Sequence, residues 1–416
     1  MTGAGRGSGE RPALARLIAL SPQSFAADYW ASGPLFSRAA DLPRGFSDLF
    51  TADAVDELIT RRGLRTPFVR MAKDGAVLNA ARYTAAGGFG AEIGDQVSAD
   101  LVLDEFVAGA TLVLQGLHRT WAPVAEFTRA LVADLGHPVQ VNAYVTPASA
   151  RGFDPHYDVH DVFVIQVAGE KSWRIHPPVH QSPLRDQPWD AHRAAVEQRA
   201  ATVPEIEQTF RPGDVLYLPR GWIHSATALG GTSIHLTIGV AALTRHDVLR
   251  EVLARAAEDA QLRAALPLGV DLTDPATMAA LVADAVTDLS RFSRADPELA
   301  DRVGRRLRRR LRDSTRPEPI APLATVDGAA SLHEATTVSL RHGLDARVDV
   351  RLDVTGDRAA LVLPRKTITL PVEAADALAA VLTGGLIQAG DLPGLDAASS
   401  LVVARRLVRE GVLVVR

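Results

Sequence analysis

At 416 residues the chain has room for several domains of roughly 100–200 residues each. Its 47% hydrophobic and 23% charged residues exclude a largely disordered protein, and a net charge of −4 argues against a general nucleic-acid binder. The absence of cysteine excludes disulfides, Cys-ligated zinc, iron–sulfur clusters and a thiol nucleophile.

In chain order, residues 1–16 read as a flexible, Gly- and Arg-containing tail without the apolar core of a signal peptide. Helical signals follow at Phe25–Trp30 and Ala52–Arg61. A longer amphipathic stretch, Val113–Leu135, has Leu114, Leu117, Trp121, Val124, Phe127, Leu131 and Leu135 at helical steps. Between Val139 and Val240 the texture changes to short Val- and Ile-rich runs: Val139–Val145, Val162–Val167, Trp173–His176, Val215–Leu218 and Ser233–Val240. Gly, Pro and Asp turns break them, which predicts a β-barrel or sandwich. Residues 244–315 read as helical and end in an arginine-dense stretch. A proline-rich linker spans 316–323, and 324–416 mixes strands (Arg347–Leu352, Ala360–Leu363, Gly411–Val415) with helices (Val372–Leu382, Ala397–Glu410) in the manner of a winged helix. No apolar run approaches the roughly 18 residues of a membrane helix, so a cytoplasmic protein without a membrane partner is expected.

The chemistry concentrates in Asp154-Pro155-His156-Tyr157-Asp158 and in Trp222-Ile223-His224. Residues two apart on a strand share a face, so His156 and Asp158 can look into one cavity. A second imidazole from a distant strand completes a two-His, one-carboxylate face on an octahedral metal, with positions left open for a bidentate cosubstrate and dioxygen. Only three of the 45 basic residues are lysines (Lys73, Lys171, Lys366), so Lys171, past a Gly turn on the next strand, stands out. An ammonium there serves a dianionic ligand as a point charge.

Several runs together resemble the JmjC-type ribosomal oxygenases. They are Asn142-Ala-Tyr144-Val-Thr-Pro147, Gly152-Phe-Asp-Pro155-His156-Tyr-Asp158, Phe163-Val-Ile-Gln166, Gly169-Glu-Lys171-Ser-Trp173-Arg174, and Pro212-Gly213-Asp214 through Pro219-Arg220-Gly221-Trp222-Ile-His224 to His235-Leu-Thr237. The likeness is dense over about 140–240 and weaker at Tyr29-Trp30 and Pro34-Leu35. It implies an α+β chain: a cupin-like double-stranded β-helix within a catalytic domain at 17–243, a helical dimerisation domain at 244–315, the linker, and a winged-helix domain at 324–416. It further implies His156, Asp158 and His224 as Fe(II) ligands and Lys171 as the partner of the far carboxylate of 2-oxoglutarate. Asn142, Tyr144 and Thr237 are implied to line the cosubstrate pocket. The activity implied, with O2, is hydroxylation of an arginine or histidine of a ribosomal protein by a homodimer.

Two alternatives are the same chemistry on a peptide natural product or free amino acid, and a catalytically silent cupin-like binding protein. Trp173 and Phe163 are read as core, and His235 as a packing residue beside the metal ligands. Arg305–Arg312 is read as a solvated helix face, with docking of RNA or another anion as its functional alternative. The segment Gln181–Ala201 is the candidate for a substrate-facing insertion. From His333 to Arg416 basic and acidic residues balance at ten each, so no DNA partner is expected.

Overall fold

The protein is described from a computed structural model covering residues 10–90, 92–148, 154–344, 346–351 and 357–416. Gly152 and Leu352 therefore lie outside the described residues. The chain divides into two compact units, one ending at Ala242 and one beginning at Leu243.

The first unit contains strands β1 (Leu35–Ser37), β2 (Val69–Lys73), β3 (Ala76–Val77), β4 (Thr84–Ala85), β5 (Gln96–Val97), β6 (Thr111–Leu114), β7 (Val139–Thr146), β8 (Asp161–His176), β9 (Ile206–Phe210), β10 (Val215–Leu218) and β11 (Ile223–Val240). Its helices are α1 (Pro12–Ala15), α2 (Pro22–Asp28), α3 (Ala52–Arg61), α4 (Ala99–Val107), α5 (Leu117–Thr120), α6 (Ala122–Leu135) and α7 (Arg193–Ala200). The main sheet runs β1-β10-β8-β11-β7-β6-β2-β3. β8 and β11 change neighbours along their length. The start of β8 pairs with β10 and the end of β11, and its later half pairs with β9 and the start of β11. Two runs expected as separate strands, Val162–Val167 and Trp173–His176, are thus one strand with a bend. Gly169 makes the bend possible: its φ is +64°, and a Cβ there would lie 2.2 Å from the Thr232 carbonyl oxygen.

This is the mixed α and β, cupin-like architecture that the resemblance implied, and a core of alternating strand residues fills it. Phe163 and Ile165 are fully buried on β8, and Phe163 lies within a cluster of Phe25, Trp30 and Tyr217 whose centroids are 4.8–6.0 Å apart. Burying each such ring contributes about 2 kcal/mol.

The single amphipathic stretch expected over Val113–Leu135 is corrected. Thr111–Leu114 is a fully buried strand, Gly116 takes the left-handed conformation, and α5 and α6 follow, with Pro123 in the first turn of α6. Helical spacing of apolar residues could not reveal the break because an all-buried strand also reads as apolar. Pro12–Ala15, assigned to the flexible tail, is helical with Leu14 buried, and the Asp134 carboxylate accepts the Ala13 and Leu14 amides.

The second unit begins with α8 (Arg245–Ala256), opened by a capping box in which Thr244 and Asp247 exchange hydrogen bonds. α9 (Pro275–Ala295), α10 (Leu299–Ser314) and α11 (Pro322–Ala330) follow. Strands β12 (Thr337–Leu340), β13 (Arg347–Arg351), β14 (Arg358–Val362), β15 (Thr367–Pro371), β16 (Leu386–Gln388) and β17 (Leu413–Val415), with α12 (Ala375–Val381) and α13 (Ala397–Arg409), complete it. The strands form two antiparallel sheets, β16-β12-β17 and β13-β14-β15. Within the proline-rich segment Glu318 pairs with Arg416, and its backbone carbonyl accepts from Arg341. Among the described residues no helix is long and apolar enough to cross a membrane.

Candidate metal centre

His156 and His224 are brought together by backbone before any side-chain contact. Each donates its amide N–H to the other's carbonyl, at 3.2 Å and 2.8 Å. Asp158 follows two residues after His156, and the ligand atoms of His156, Asp158 and His224 all lie within 4.8 Å of one another. The turn before β11 depends on Gly221 at φ +90°, where a Cβ would come within 2.6 Å of the His180 carbonyl.

The imidazoles are oriented by their other nitrogens. His156 Nδ1 lies 2.7 Å from the Asp154 carbonyl and His224 Nδ1 lies 3.1 Å from the Trp222 carbonyl. A carbonyl only accepts, so Nδ1 carries the proton and Nε2 is the lone-pair nitrogen in both rings. His224 Nε2 is 3.8 Å from Asp158 Oδ2. Burial, with His156 beside it, pushes the His224 pKa down to about 4, so this ring is neutral. Burial raises the Asp158 carboxyl, but the rings of His160, His224 and His156 outweigh it and hold the group below its usual range. Oriented imidazoles beside an ionised carboxylate form a donor set that fits a divalent transition metal, with coordination positions to spare.

The three donors line a cavity of about 80 Å³ that also contains Tyr144, Thr146, Lys171, Trp173, His235 and Thr237. Lys171 is buried, and its Nζ donates to Thr146 Oγ1 at 3.2 Å. It has no carboxylate partner among the described residues, and burial drops its pKa to about 7. An ammonium kept from water without a counter-charge is costly, and an arriving anion would relieve that cost.

Tyr144 stacks on His235 at 4.9 Å with a 3° interplanar angle, and burial, with Asp158 nearby, pushes its phenol up to about 12. The phenol is therefore a permanent hydroxyl at neutral pH. Burial and the neighbouring Lys171 hold His235 well below its ordinary pKa.

Of the residues singled out in the sequence, the structure gathers His156, Asp158, His224, Lys171, Tyr144 and Thr237 around one cavity. Asn142 is not among the cavity's lining. Its Oδ1 accepts the Gly116 amide at 3.0 Å and ties β7 to the start of α5. Trp173, expected as core, is buried yet faces the cavity, stacking on His224 at 6.0 Å and meeting His235 edge-on at 5.5 Å. Thr146 went unnoticed, although two-residue alternation from Tyr144 puts it on the same face. Within Gln181–Ala201, Val196 of α7 is buried against Tyr157 and Ile223, and Tyr157 donates its hydroxyl to the Gln187 carbonyl at 3.1 Å. Trp189 lies 6.3 Å from the His156 ring. This segment props the ligand-bearing loop.

Residues 119–248 match the family model for the JmjC domain. All three metal-ligand candidates and Lys171 fall within this matched segment. A Drosophila erecta protein named bifunctional lysine-specific demethylase and histidyl-hydroxylase NO66 is 37% identical over 128 residues, 30% of this chain and 18% of that one. Ribosomal oxygenase 1 of Gallus gallus is 29% identical over 257 residues, 60% of this chain and 40% of that one. The chain thus spans less than half the length of either relative. The solved structure of YcfD, a ribosomal oxygenase from Escherichia coli in complex with cobalt and 2-oxoglutarate, matches 96% of this chain and 99% of its own. The TM-score is 0.50 at 16% identity, a likeness of fold.

Proposed function

We propose that this protein is an Fe(II)- and 2-oxoglutarate-dependent dioxygenase that hydroxylates an arginine or histidine side chain of a ribosomal protein. The observation that carries the chemistry is a pair of features in one cavity: the oriented His156, Asp158 and His224 donors, and the buried, carboxylate-free Lys171. The names of the relatives and the bound 2-oxoglutarate of the Escherichia coli protein support the cosubstrate and the class of substrate.

Iron and 2-oxoglutarate, when bound, supply the activation of O2 and the oxidant for an unactivated C–H bond. The protein's residues do the rest. His156, Asp158 and His224 hold the metal on one face. Lys171 and Thr146 fix the far carboxylate of 2-oxoglutarate, and the Tyr144 and Thr237 hydroxyls complete the polar lining. Trp173 and His235 close the walls against water.

The second unit serves assembly. α9 has no fully buried residue, and Leu249, Leu253, Val282 and Val286 are more than half exposed. Apolar surface of this extent suits a second copy, so the protein forms a homodimer through α8 and α9. Helices α11 and α13 pack on β17 of the β16-β12-β17 sheet, which supports a winged-helix scaffold, and the balanced charge of residues 333–416 supports one without a DNA partner.

The test is succinate formation by purified protein with Fe(II), 2-oxoglutarate and ascorbate, with and without ribosomal proteins, beside a His156→Ala control. Stimulated turnover and a mass gain of one oxygen atom on one arginine or histidine are expected. Basal turnover without stimulation would move the substrate to small peptides. No turnover from folded, iron-loaded protein would overturn the enzyme reading.

A further inference from the structure

Two cations stand on the inner face of the barrel with no carboxylate among the described residues. Lys171 belongs to the site above. The other is Arg70 on β2. Register draws a line across the sheet: Arg70 lies opposite Val113, Val113 opposite Tyr144, and Tyr144 opposite His235. Directly opposed residues of antiparallel strands point to the same side. Tyr144 and His235 line the cavity, so Arg70 stands on the cavity's face. It is also near the sheet edge, because β3 pairs only with Ala72 and Lys73.

Arg70 is half-buried, and its Nε is buried without a hydrogen-bond partner. Nor does its guanidinium form a hydrogen bond or ion pair with any described residue. Arg16 and Arg220 also bury an unpartnered Nε, but each guanidinium is paired, Arg16 with Asp48 and Arg220 with Asp161. Among the groups that feel the Arg70 charge are the phenols of Tyr83 and Tyr144, which burial keeps protonated. A guanidinium has five donors and does not deprotonate. An acceptor arriving from outside would satisfy the buried Nε and answer the charge.

We infer that Arg70 docks a carboxylate of the polypeptide substrate, an aspartate or glutamate close in sequence to the residue that is hydroxylated. The inference rests on the oxygenase reading. Lys171 with Thr146 answers to the far carboxylate of 2-oxoglutarate, and the metal ligands answer to its other end. Arg70 is separated from β8 by β6, β7 and β11, so it is left for a different anion. The planar fork of arginine grips a carboxylate by two parallel charge-assisted hydrogen bonds, which fixes direction as well as charge. Substrates with an acidic neighbour would then be selected over those without.

The test measures binding to the full-length protein loaded with Mn(II) and 2-oxoglutarate. The probes are acetyl-Asp-Gly-His-amide and acetyl-Asp-Gly-Arg-amide, each compared with its Asn counterpart. Wild type should prefer the Asp form of one pair by about tenfold or more, the scale of one hydrogen bond to a charged group. Arg70→Gln should erase that preference and Arg70→Lys should keep part of it. The thermal midpoint of Arg70→Gln should not fall, because the variant loses an unpaired charge rather than a structural bond. Equal or absent binding of the Asp and Asn peptides to wild type overturns the inference. So does a preference that survives in Arg70→Gln, or a variant that melts many degrees lower. Binding of 2-oxoglutarate is recorded on the same samples. Metal-dependent binding of 2-oxoglutarate without an Asp preference defeats only the role of Arg70, whereas its absence in wild type defeats the oxygenase reading beneath it.

Discussion

The inner face of the barrel and the arginine-rich helix α10 use the same kind of charge in opposite ways. On α10, Arg302 pairs with Glu298, Arg305 and Arg308 with Asp301, Arg306 with Glu251, Arg309 with Asp313, and Arg310 with Asp247. The run that offered an anion-docking surface in the sequence is therefore a ladder of ion pairs, exposed ones contributing little each, with only the Asp247 carboxylate buried. Inside the barrel, Lys171 has a hydroxyl, and Arg70 has no hydrogen-bond or ion-pair partner among the described residues. Cations answered within the fold are structural. In the proposed reading, the two left without a carboxylate await a ligand.

The sharpest way to break this contrast is Asp158→Ala, which removes the carboxylate and leaves only the two imidazoles. Iron retained after desalting, and turnover with it, should fall by at least about 100-fold. Retention of iron at wild-type levels would mean the three donors are not the metal site.

Lys171→Met should weaken 2-oxoglutarate binding by about 100-fold, the scale of a lost buried charge pair, while the ligand-free protein melts a few degrees higher. The sign of the second effect follows from the pKa. Folding lowers Lys171 from 10.5 to about 7, so the folded state binds fewer protons than the unfolded one between those values. The resulting penalty is full below about pH 7 and fades as pH rises toward 10.5. The binding step has the opposite dependence, because the dianion needs the ammonium. Affinity for 2-oxoglutarate should decline above about pH 7, by at most tenfold per pH unit. Calorimetry across that range checks it, and Lys171→Arg should flatten the profile.

Tyr157→Phe deletes the hydroxyl that anchors the ligand loop to the Gln187 carbonyl, without touching the metal. It should cost about 1 kcal/mol of stability in urea unfolding and weaken iron binding only a few-fold. Smallest of all, Arg308→Gln on α10 should shift stability by less than about 0.5 kcal/mol. A large loss there would show that the ladder on α10 carries more than a surface should.

The part of the site legible in the sequence was the part whose residues combine at fixed offsets. A histidine and an aspartate two apart gain meaning from a third ligand after a turn–strand–turn and from one of only three lysines. Threonine is common and tryptophan is by default a core residue, so Thr146 was passed over and Trp173 was consigned to the core. Arg70 was hidden for a different reason. Arginine is the default cation of this chain, and only the sheet register shows that this one faces inward.

The fold divides in the same way. β10 and α3 follow from periodicity and their turns, and the observed bounds coincide with the expected ones. β6 was lost inside a longer apolar run. Two strand signals merged into β8 because a glycine bend looks like a turn in sequence. β12, β15 and β16 were missed because Thr, Ser and Gln interrupt their apolar residues.

The central claim is that the isolated lysine and the oriented donors form one receptor for metal and 2-oxoglutarate together. Its most direct test is anaerobic titration of 2-oxoglutarate into the purified protein, with Fe(II) and after removal of metal by chelation. Saturable one-to-one binding that needs the iron is the expected result. Binding of equal strength without metal, or none with it in a folded sample, would contradict the account.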